Sequence, residues 1–537
     1  MEKLVLRVFL LLLTSIQSFA QLNLCNQTPY PQLCNSLITS KVLVSSPQSS
    51  LEVRNIFLNI TLDHAQKVHT LISSMDISSF QDLAKFAWED CLELYEDTIH
   101  QLNQTILLSN DFTTIQDSQT YLSAATTNYE TCKNGFVDLN VSTNLEFFMF
   151  TSSKFSQFLT NALAINEAIS TTSFKPYTRE RGGGGIGGRG GSGGRRLLAN
   201  GLPSWMLKAD HKLLQTSMPT TKADLVVAKD GTGNYKTISE AITAAKNLRS
   251  GTKRFIIYVK AGIYKENVVI TNKMKNLMLI GDGIDATIVT CNKNVQDGST
   301  TFRSATFAIS GDGFIAKDIT FENTAGPQKH QAVALRSGSD YSIFYRCSFK
   351  GYQDTLYVYS KRQFYKECDI YGTIDFIFGN AAAILQSCNI YVRKPMNNQM
   401  NTITAQGRSD PNENTGIVIH DSIIKAAQDL KPVQGSFQTF LGRPWRMYSR
   451  TMIMKSHIDG LVDIAGWAPW SGDFALKTLY YGEYMNYGPG ADTHGRVKWP
   501  GYHAIKSPVD AEKFTVRNFL TGDEWIPGTG VPFTSGL

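Results

Sequence analysis

The sequence predicts an all-α bundle of long helices followed by an all-β parallel β-helix, with a flexible tract between them. Apolar residues recur at three- and four-residue spacing up to about residue 175, as in Leu51, Val53, Ile56, Phe57 and Ile60, and in Phe155, Phe158, Leu159, Ala162 and Leu163. From residue 223 the texture changes. Short runs rich in β-branched and aromatic residues alternate with Gly and Asn turns: Phe255–Val259, Asn276–Ile280, Asp318–Phe321 and Leu356–Tyr359. In this C-terminal region a single strand pattern returns, as Ile319–Phe321, Cys347–Phe349, Cys368–Ile370, Cys388–Ile390, Ser422–Ile423 and Ser456–Ile458. Steps of about 20 to 35 residues mark a solenoid, and the strand content makes it a parallel β-helix.

Taken in order, residues 1–20 read as a secretory signal peptide. Lys3 and Arg7 precede the apolar run Val8–Leu13, and Ser18, Phe19 and Ala20 supply a cleavage site. That run is too short to cross a bilayer, and no later apolar stretch is long enough. The expected product is secreted, extracellular and without a membrane span. With 18% charged and 42% hydrophobic residues the chain is not a disordered polymer, and 537 residues exceed one ordinary core.

Residues 21–175 are the helical segment. Four glycosylation sequons, at Asn26, Asn59, Asn103 and Asn140, all fall here. So do Cys25 and Cys34, spaced to staple an N-terminal hairpin, and Cys91 and Cys132, placed to tie two helices, although spacing alone permits other pairings. Residues 176–222 are linker. Gly182–Gly194 is almost all glycine and is flexible coil. It contains a Gly-x-Ser-x-Gly match around Ser192, but that pattern carries chemistry only between a strand and a helix. The dibasic run Arg195, Arg196, Leu197 and Leu198 follows, an exposed target for a processing protease.

Residues 223–537 are the solenoid. Residues 219–537 hold 36 Lys and Arg against 28 Asp and Glu, a net +8; the whole chain is +6, so the remainder carries −2. Outside the cell, a basic solenoid suits an acidic polysaccharide, not a nucleic acid. Equivalent residues on adjacent coils stack about 4.8 Å apart. Cys368 and Cys388, at equivalent positions, then fall within disulfide reach, as do Cys347 and Cys368 one coil earlier, and spacing does not choose between the two pairs.

The same step organises the polar residues. Gln331, Gln353 and Asp375 are separated by 22 and 22 residues, and Asp354 precedes Asp375 by 21. All four fall in one patch across three coils: two carboxylates one rung apart, flanked by two amides. Asp375 lies in the apolar run Asp375–Gly379, and burying an unpaired charge there is expensive. His330, beside Gln331, faces the opposite way in an extended chain and is a structural or rim residue.

Five motifs, Gly262–Glu266, Gln331–Leu335, Gly351–Leu356, Asp375–Gly379 and Leu441–Trp445, make the chain from Asp224 nearly to its end resemble the pectin methylesterase family. The helical segment resembles the pectin methylesterase inhibitor family, a four-helix bundle with four cysteines. The resemblance implies a right-handed parallel β-helix that hydrolyses methyl esters of cell-wall homogalacturonan, without metal or cofactor, and a pro-region that holds it inactive. It implies that Asp375 is the nucleophile of an acyl-enzyme and that Asp354 is the general acid and then base. Gln331 and Gln353 would stabilise the oxyanion, and Arg443 would hold Asp375 ionised, leaving the proton on Asp354. Thr301 would touch substrate, and Trp445 and Trp467 would stack on sugar. The implied partners are methyl-esterified pectin, a processing protease and inhibitor proteins. Arg195–Leu198 resembles the family's processing site. Lys212–Leu214 resembles a second, with His211 where a basic residue is usual.

Overall fold

The computed structural model describes residues 24–41, 49–78, 80–108, 112–141, 143–172, 223–249 and 251–537. The expected signal peptide and the linker, with Arg195–Leu198 and Lys212, lie outside the described residues.

Among the described residues the N-terminal segment carries the helices α1 (Pro31–Lys41), α2 (Ser50–Ser73), α3 (Asp82–Leu107), α4 (Phe112–Asp138) and α5 (Thr143–Thr172). Ser49 opens α2 by accepting a hydrogen bond from the Glu52 N–H, which satisfies a backbone donor that the helix cannot. Helices α2 to α5 pack in sequence and α5 closes against α2, giving a four-helix bundle. Its centre is Phe57, Tyr95, Phe155, Leu159 and Leu163, all buried. Cys25–Cys34 staples the segment before α1, and Cys91–Cys132 ties α3 to α4, which are the pairings their spacing suggests. Asn26, Asn59 and Asn140 are exposed; Asn103 is half-buried on α3.

From Leu225 onward the strands form three sheets of 11, 8 and 7 strands, and every recorded pairing between strands is parallel. Seven successive coils each contribute one strand to each sheet, and the chain ends add the remaining strands. One coil runs Leu335–Ser337, Ser342–Tyr345, Ser348–Lys350, and the next runs Leu356–Val358, Arg362–Lys366, Asp369–Gly372. This is a right-handed parallel β-helix. Its interior is stacked like on like: Phe344 lies 4.8 Å from Tyr365, and Phe321 lies 5.8 Å from Phe349. A sixth helix, α6 (Ile238–Leu248), covers the first coils with Ile238, Ala241, Ile242 and Ala245, and starts at a reciprocal Thr237–Glu240 cap.

One expectation fails. Cys347, Cys368 and Cys388 do occupy one interior column, but no disulfide joins Cys368 to Cys388 or to Cys347; all three are buried free thiols. Each sulfur is turned toward main-chain carbonyls, Cys368 Sγ to Phe344 O at 3.3 Å and Cys388 Sγ to Gln386 O at 3.5 Å. Stacking one rung apart brings the Cys368 and Cys388 thiols into contact, but proximity alone does not make an S–S bond. Burial pushes the Cys347 thiol up to about 12, so it stays protonated.

The bundle lies on the seven-stranded sheet. Phe302, Ala308, Val333, Tyr357, Phe378 and Ala405 of the β-helix belong to the same apolar cluster as the bundle core. Polar contacts frame this seam: Tyr359 OH donates to Asn128 Oδ1 at 2.7 Å, Asn380 Nδ2 donates to Thr127 Oγ1 at 2.9 Å, and Arg362 pairs with Asp117 at 2.7 Å. The interior core of the β-helix, by contrast, draws only on residues from Leu225 onward.

Candidate active site

The seven-stranded sheet sets the site because its successive strands present the same edge at each coil. Leu335, Leu356, Ile377 and Thr404 are register partners in turn. Two residues before Leu356 and Ile377 stand Asp354 and Asp375, so the two carboxylates are stacked one rung apart as their spacing predicted. Both sit at turns with positive φ, 63° and 50°, an uncommon conformation for residues with side chains and one that recurs at functional sites.

Both aspartates are nearly buried, and their surroundings differ. Arg443, carried in from a later coil, grips Asp375 with Nε 2.8 Å from Oδ1 and Nη2 2.6 Å from Oδ2. This is the bidentate fork that holds a carboxylate in one plane. Burial pushes the Arg443 guanidinium down, but the hydrogen bonds and charge of Asp375 outweigh it and its value rises. Among the described residues Asp354 has no such partner. Burial, then the charges of Asp375 and Asp138, push its carboxyl well above the usual carboxylate range, with Arg443 pulling the other way.

A cavity of about 430 Å³ joins these residues. Gln331, Gln353, Asp354, Asp375, Arg443, Thr301 and Trp445 all line it, so seven of the expected site residues meet at one place. Trp445 lies over Gly407, where even a Cβ would come 2.7 Å from the ring, and its edge packs against Phe378. Trp467 does not line the cavity. It is 1% exposed, stacks on Tyr481 at 4.2 Å and donates its Nε1–H to Glu483. Trp470, 37% exposed, does line the cavity, and its ring lies 4.5 Å from the Arg443 guanidinium. The expectation of Trp467 as a sugar platform is corrected accordingly: it is core, held by an isolated bridge to Gly442. His330 is absent from the lining.

Two further groups were not read from the sequence. Thr402 accepts a hydrogen bond from the Asp375 N–H at 2.9 Å and donates to Asp375 Oδ1 at 2.6 Å. Its place was concealed by the step of 27 residues from Asp375, longer than the preceding 21. The second group comes from the bundle: Thr131, Asn134 and Asp138 of α4 form one wall of the cavity. Asp138 Oδ2 accepts from the Thr301 N–H at 3.0 Å, and Arg446 Nη2 donates to Asn134 Oδ1 at 2.5 Å. Among the described residues no group of three His, Cys, Asp or Glu is placed to hold a metal ion.

A carboxylate fixed by arginine, a second carboxyl one rung away pushed up by burial and by its neighbour, and two amides can carry out acyl transfer. The pectinesterase family profile matches residues 224–523, and the plant invertase/pectin methylesterase inhibitor profile matches residues 22–165. The chain is 51% identical over 96% of its length to a probable pectinesterase/pectinesterase inhibitor 6 of Arabidopsis thaliana, covering 93% of that protein. It is likewise 51% identical to pectinesterase 2 of Citrus sinensis, over 96% of this chain and 94% of that one. Among solved structures, a carrot pectin methylesterase is 57% identical with a TM-score of 0.59, matched over 100% of its own length by 60% of this chain. A β-helix of this kind therefore stands without an N-terminal helical segment. An Aspergillus niger pectin methylesterase is 32% identical, TM-score 0.50, with 58% of this chain covering 97% of it.

Proposed function

The chain belongs to the pectinesterase family, and on that premise we propose how its cavity converts pectin methyl esters and water to pectate and methanol. Asp375 attacks the ester carbonyl carbon through one carboxylate oxygen. The carbonyl oxygen becomes an oxyanion, met by the amide N–H groups of Gln331 and Gln353, and one such donor is typically worth about 10²–10³ in rate. Asp354, neutral at this stage, gives its proton to the methoxy oxygen as that C–O bond breaks and methanol leaves. The galacturonyl group is then an anhydride with Asp375. Asp354, now a carboxylate, takes a proton from water, the resulting hydroxide attacks the acyl carbon, and Asp375 leaves as the carboxylate it began as. Thr301, Trp445 and Trp470 hold the neighbouring sugars.

The observation that carries this reading is the unequal treatment of two stacked carboxylates. Arg443 forks onto Asp375, while burial and the neighbouring charge of Asp375 raise the Asp354 carboxyl and favour its protonated form. The test is the product: residues 223–537 with highly methylated pectin should release methanol and leave chain length unchanged. Shortened chains without methanol would assign the cavity to a lyase or glycosidase instead.

The inhibitor-family segment is an inhibitory pro-region, and we place its effect in the cleft, where Asp138, Asn134 and Thr131 stand in the path of substrate. Cleavage at Arg195–Leu198 would release the β-helix. The signal sequence, the sequons and the two disulfides of the bundle fit secretion to the cell wall, where the substrate is. Equal activity of the full chain and of residues 223–537 would overturn the inhibitory placement.

A further inference from the structure

Asp375 has two oxygens, and its environment does not treat them alike. Oδ1 accepts from the Thr402 hydroxyl at 2.6 Å and from Arg443 Nε at 2.8 Å. Oδ2 accepts from Arg443 Nη2 at 2.6 Å, with Nε at a longer 3.2 Å. A carboxylate oxygen offers two lone pairs in the carboxylate plane. Both on Oδ1 are engaged by short donors; one on Oδ2 is left for a reacting carbon.

Thr402 makes that asymmetry. It is the second residue of the six-residue strand Asn401–Gln406, next to the strand Ile377–Gly379, and Ile377 lies opposite Thr404, which sets Thr402 opposite Asp375. The same hydroxyl oxygen accepts the Asp375 N–H at 2.9 Å, so one group bridges the main chain and the carboxylate of one residue. Asp375 stands at φ 50°, where the turn alone does not favour it, and a bridge of this kind fixes both its backbone and its χ1. Thr402 is fully buried, so water does not substitute for it. Its neighbour Thr404 shows the ordinary use of such a hydroxyl, donating to the Leu441 carbonyl at 2.9 Å.

We propose that Thr402 is a positioning residue for the esterase reaction: it anchors Asp375 through Oδ1 and thereby presents Oδ2 as the attacking oxygen. This rests on the reading of Asp375 as nucleophile. Thr402 touches neither substrate nor the bond that breaks; it acts through Asp375.

The experiment compares Thr402→Val, Thr402→Ser and Asp375→Asn in residues 223–537, with methanol release from methylated pectin as the readout and thermal melting as the check on folding. Valine keeps the shape and loses both hydrogen bonds. Its kcat should fall about 10- to 100-fold, the scale of a misplaced reacting group, with KM within about twofold. Serine restores the hydroxyl and should return kcat to within about threefold of the parent. Should the valine protein not fold, Thr402→Cys, which keeps the volume and donates weakly, should give an intermediate kcat at unchanged KM. A folded valine or cysteine variant with parental kcat, beside an inactive Asp375→Asn, would overturn the role of Thr402 alone. A loss confined to KM, or a serine variant as slow as valine, would also overturn it. Parental methanol release from Asp375→Asn would instead remove the nucleophile and this proposal with it.

Discussion

Replacing Asp90 by asparagine should keep the pro-region seated at a pH where the parent protein lets go. Asp90 lies on α3 with its side chain fully shielded at the seam between bundle and β-helix. Its Oδ2 accepts from Thr300 Oγ1 at 2.5 Å, and Oδ1 pairs with Arg303, which also holds Glu93. Burial pushes the carboxyl up to about 7; Arg303, Thr300 and Arg336 pull it down and Glu93 pushes it further up. When the bundle lifts off, Asp90 meets water and returns toward the ordinary 3.8. The seated form therefore holds a proton that the open form releases. A value raised in the closed state makes closure strongest below about pH 4 and weaker as pH climbs through about 7. At 1.4 kcal/mol for each tenfold, a rise from 3.8 to about 7 is worth about 4 kcal/mol at most, or about 10³ in the ratio of closed to open. Asp138, raised by burial against the hydrogen bonds of Thr301 and the charge of Arg446, and Asp354 act with the same sign. The assay is methanol release by the full chain divided by that of residues 223–537, from about pH 4.5 to about 7.5. For the parent this ratio should rise with pH. Asparagine mimics the protonated acid and still accepts from Thr300, so its ratio should match the parent at low pH and climb by up to one proton less steeply. An identical slope, or a ratio that falls with pH, would refute the assignment of the proton to Asp90.

Three other substitutions and one treatment have defined outcomes. Trp467→Ala should destabilise the β-helix by about 3–5 kcal/mol in thermal or urea unfolding, as loss of a large buried ring does. Trp470→Ala should leave the melt unchanged and raise KM for pectin, since that ring borders the cavity. Gln353→Ala should lower kcat about 10²–10³-fold with the fold intact, measured by methanol release. A reductant should leave the melt of residues 223–537 unchanged, because their four cysteines are free, but should lower that of the bundle, where opening the 41-residue Cys91–Cys132 loop alone costs about 4 kcal/mol.

How much of this could be read from the residues depends on how each feature is encoded. The pairing of Asp354 with Asp375 was legible because both belong to coils of nearly constant length, so a sequence step translates directly into a rung. Thr402 obeys the same register but follows a coil lengthened after Val392, which hides the relation. The cysteine column was placed correctly, yet proximity in a stack does not say where sulfurs point. Trp467 and Trp470 differ because one belongs to a bridge that faces the core and the other follows Pro469 outward, and no alternation marks that switch. The seating of Asp138 against Thr301 joins residues 163 apart in the chain. It arises from the docking of two separately formed cores, which local periodicity does not carry. Asp90 is hidden in the sequence for a related reason: on its helix it is one polar residue among several, and its burial depends on what docks against it.

The most direct test of the account is methanol release by Asp375→Asn and Asp354→Asn forms of residues 223–537, each shown by circular dichroism and melting to be folded. Asparagine in place of Asp375 keeps the shape but offers no anionic nucleophile, and asparagine in place of Asp354 has no acidic proton to give. Both variants should therefore lose about 10³-fold or more in kcat. Methanol at the parental rate from folded Asp375→Asn would contradict the acyl-enzyme route and leave the stacked carboxylates without their assigned roles.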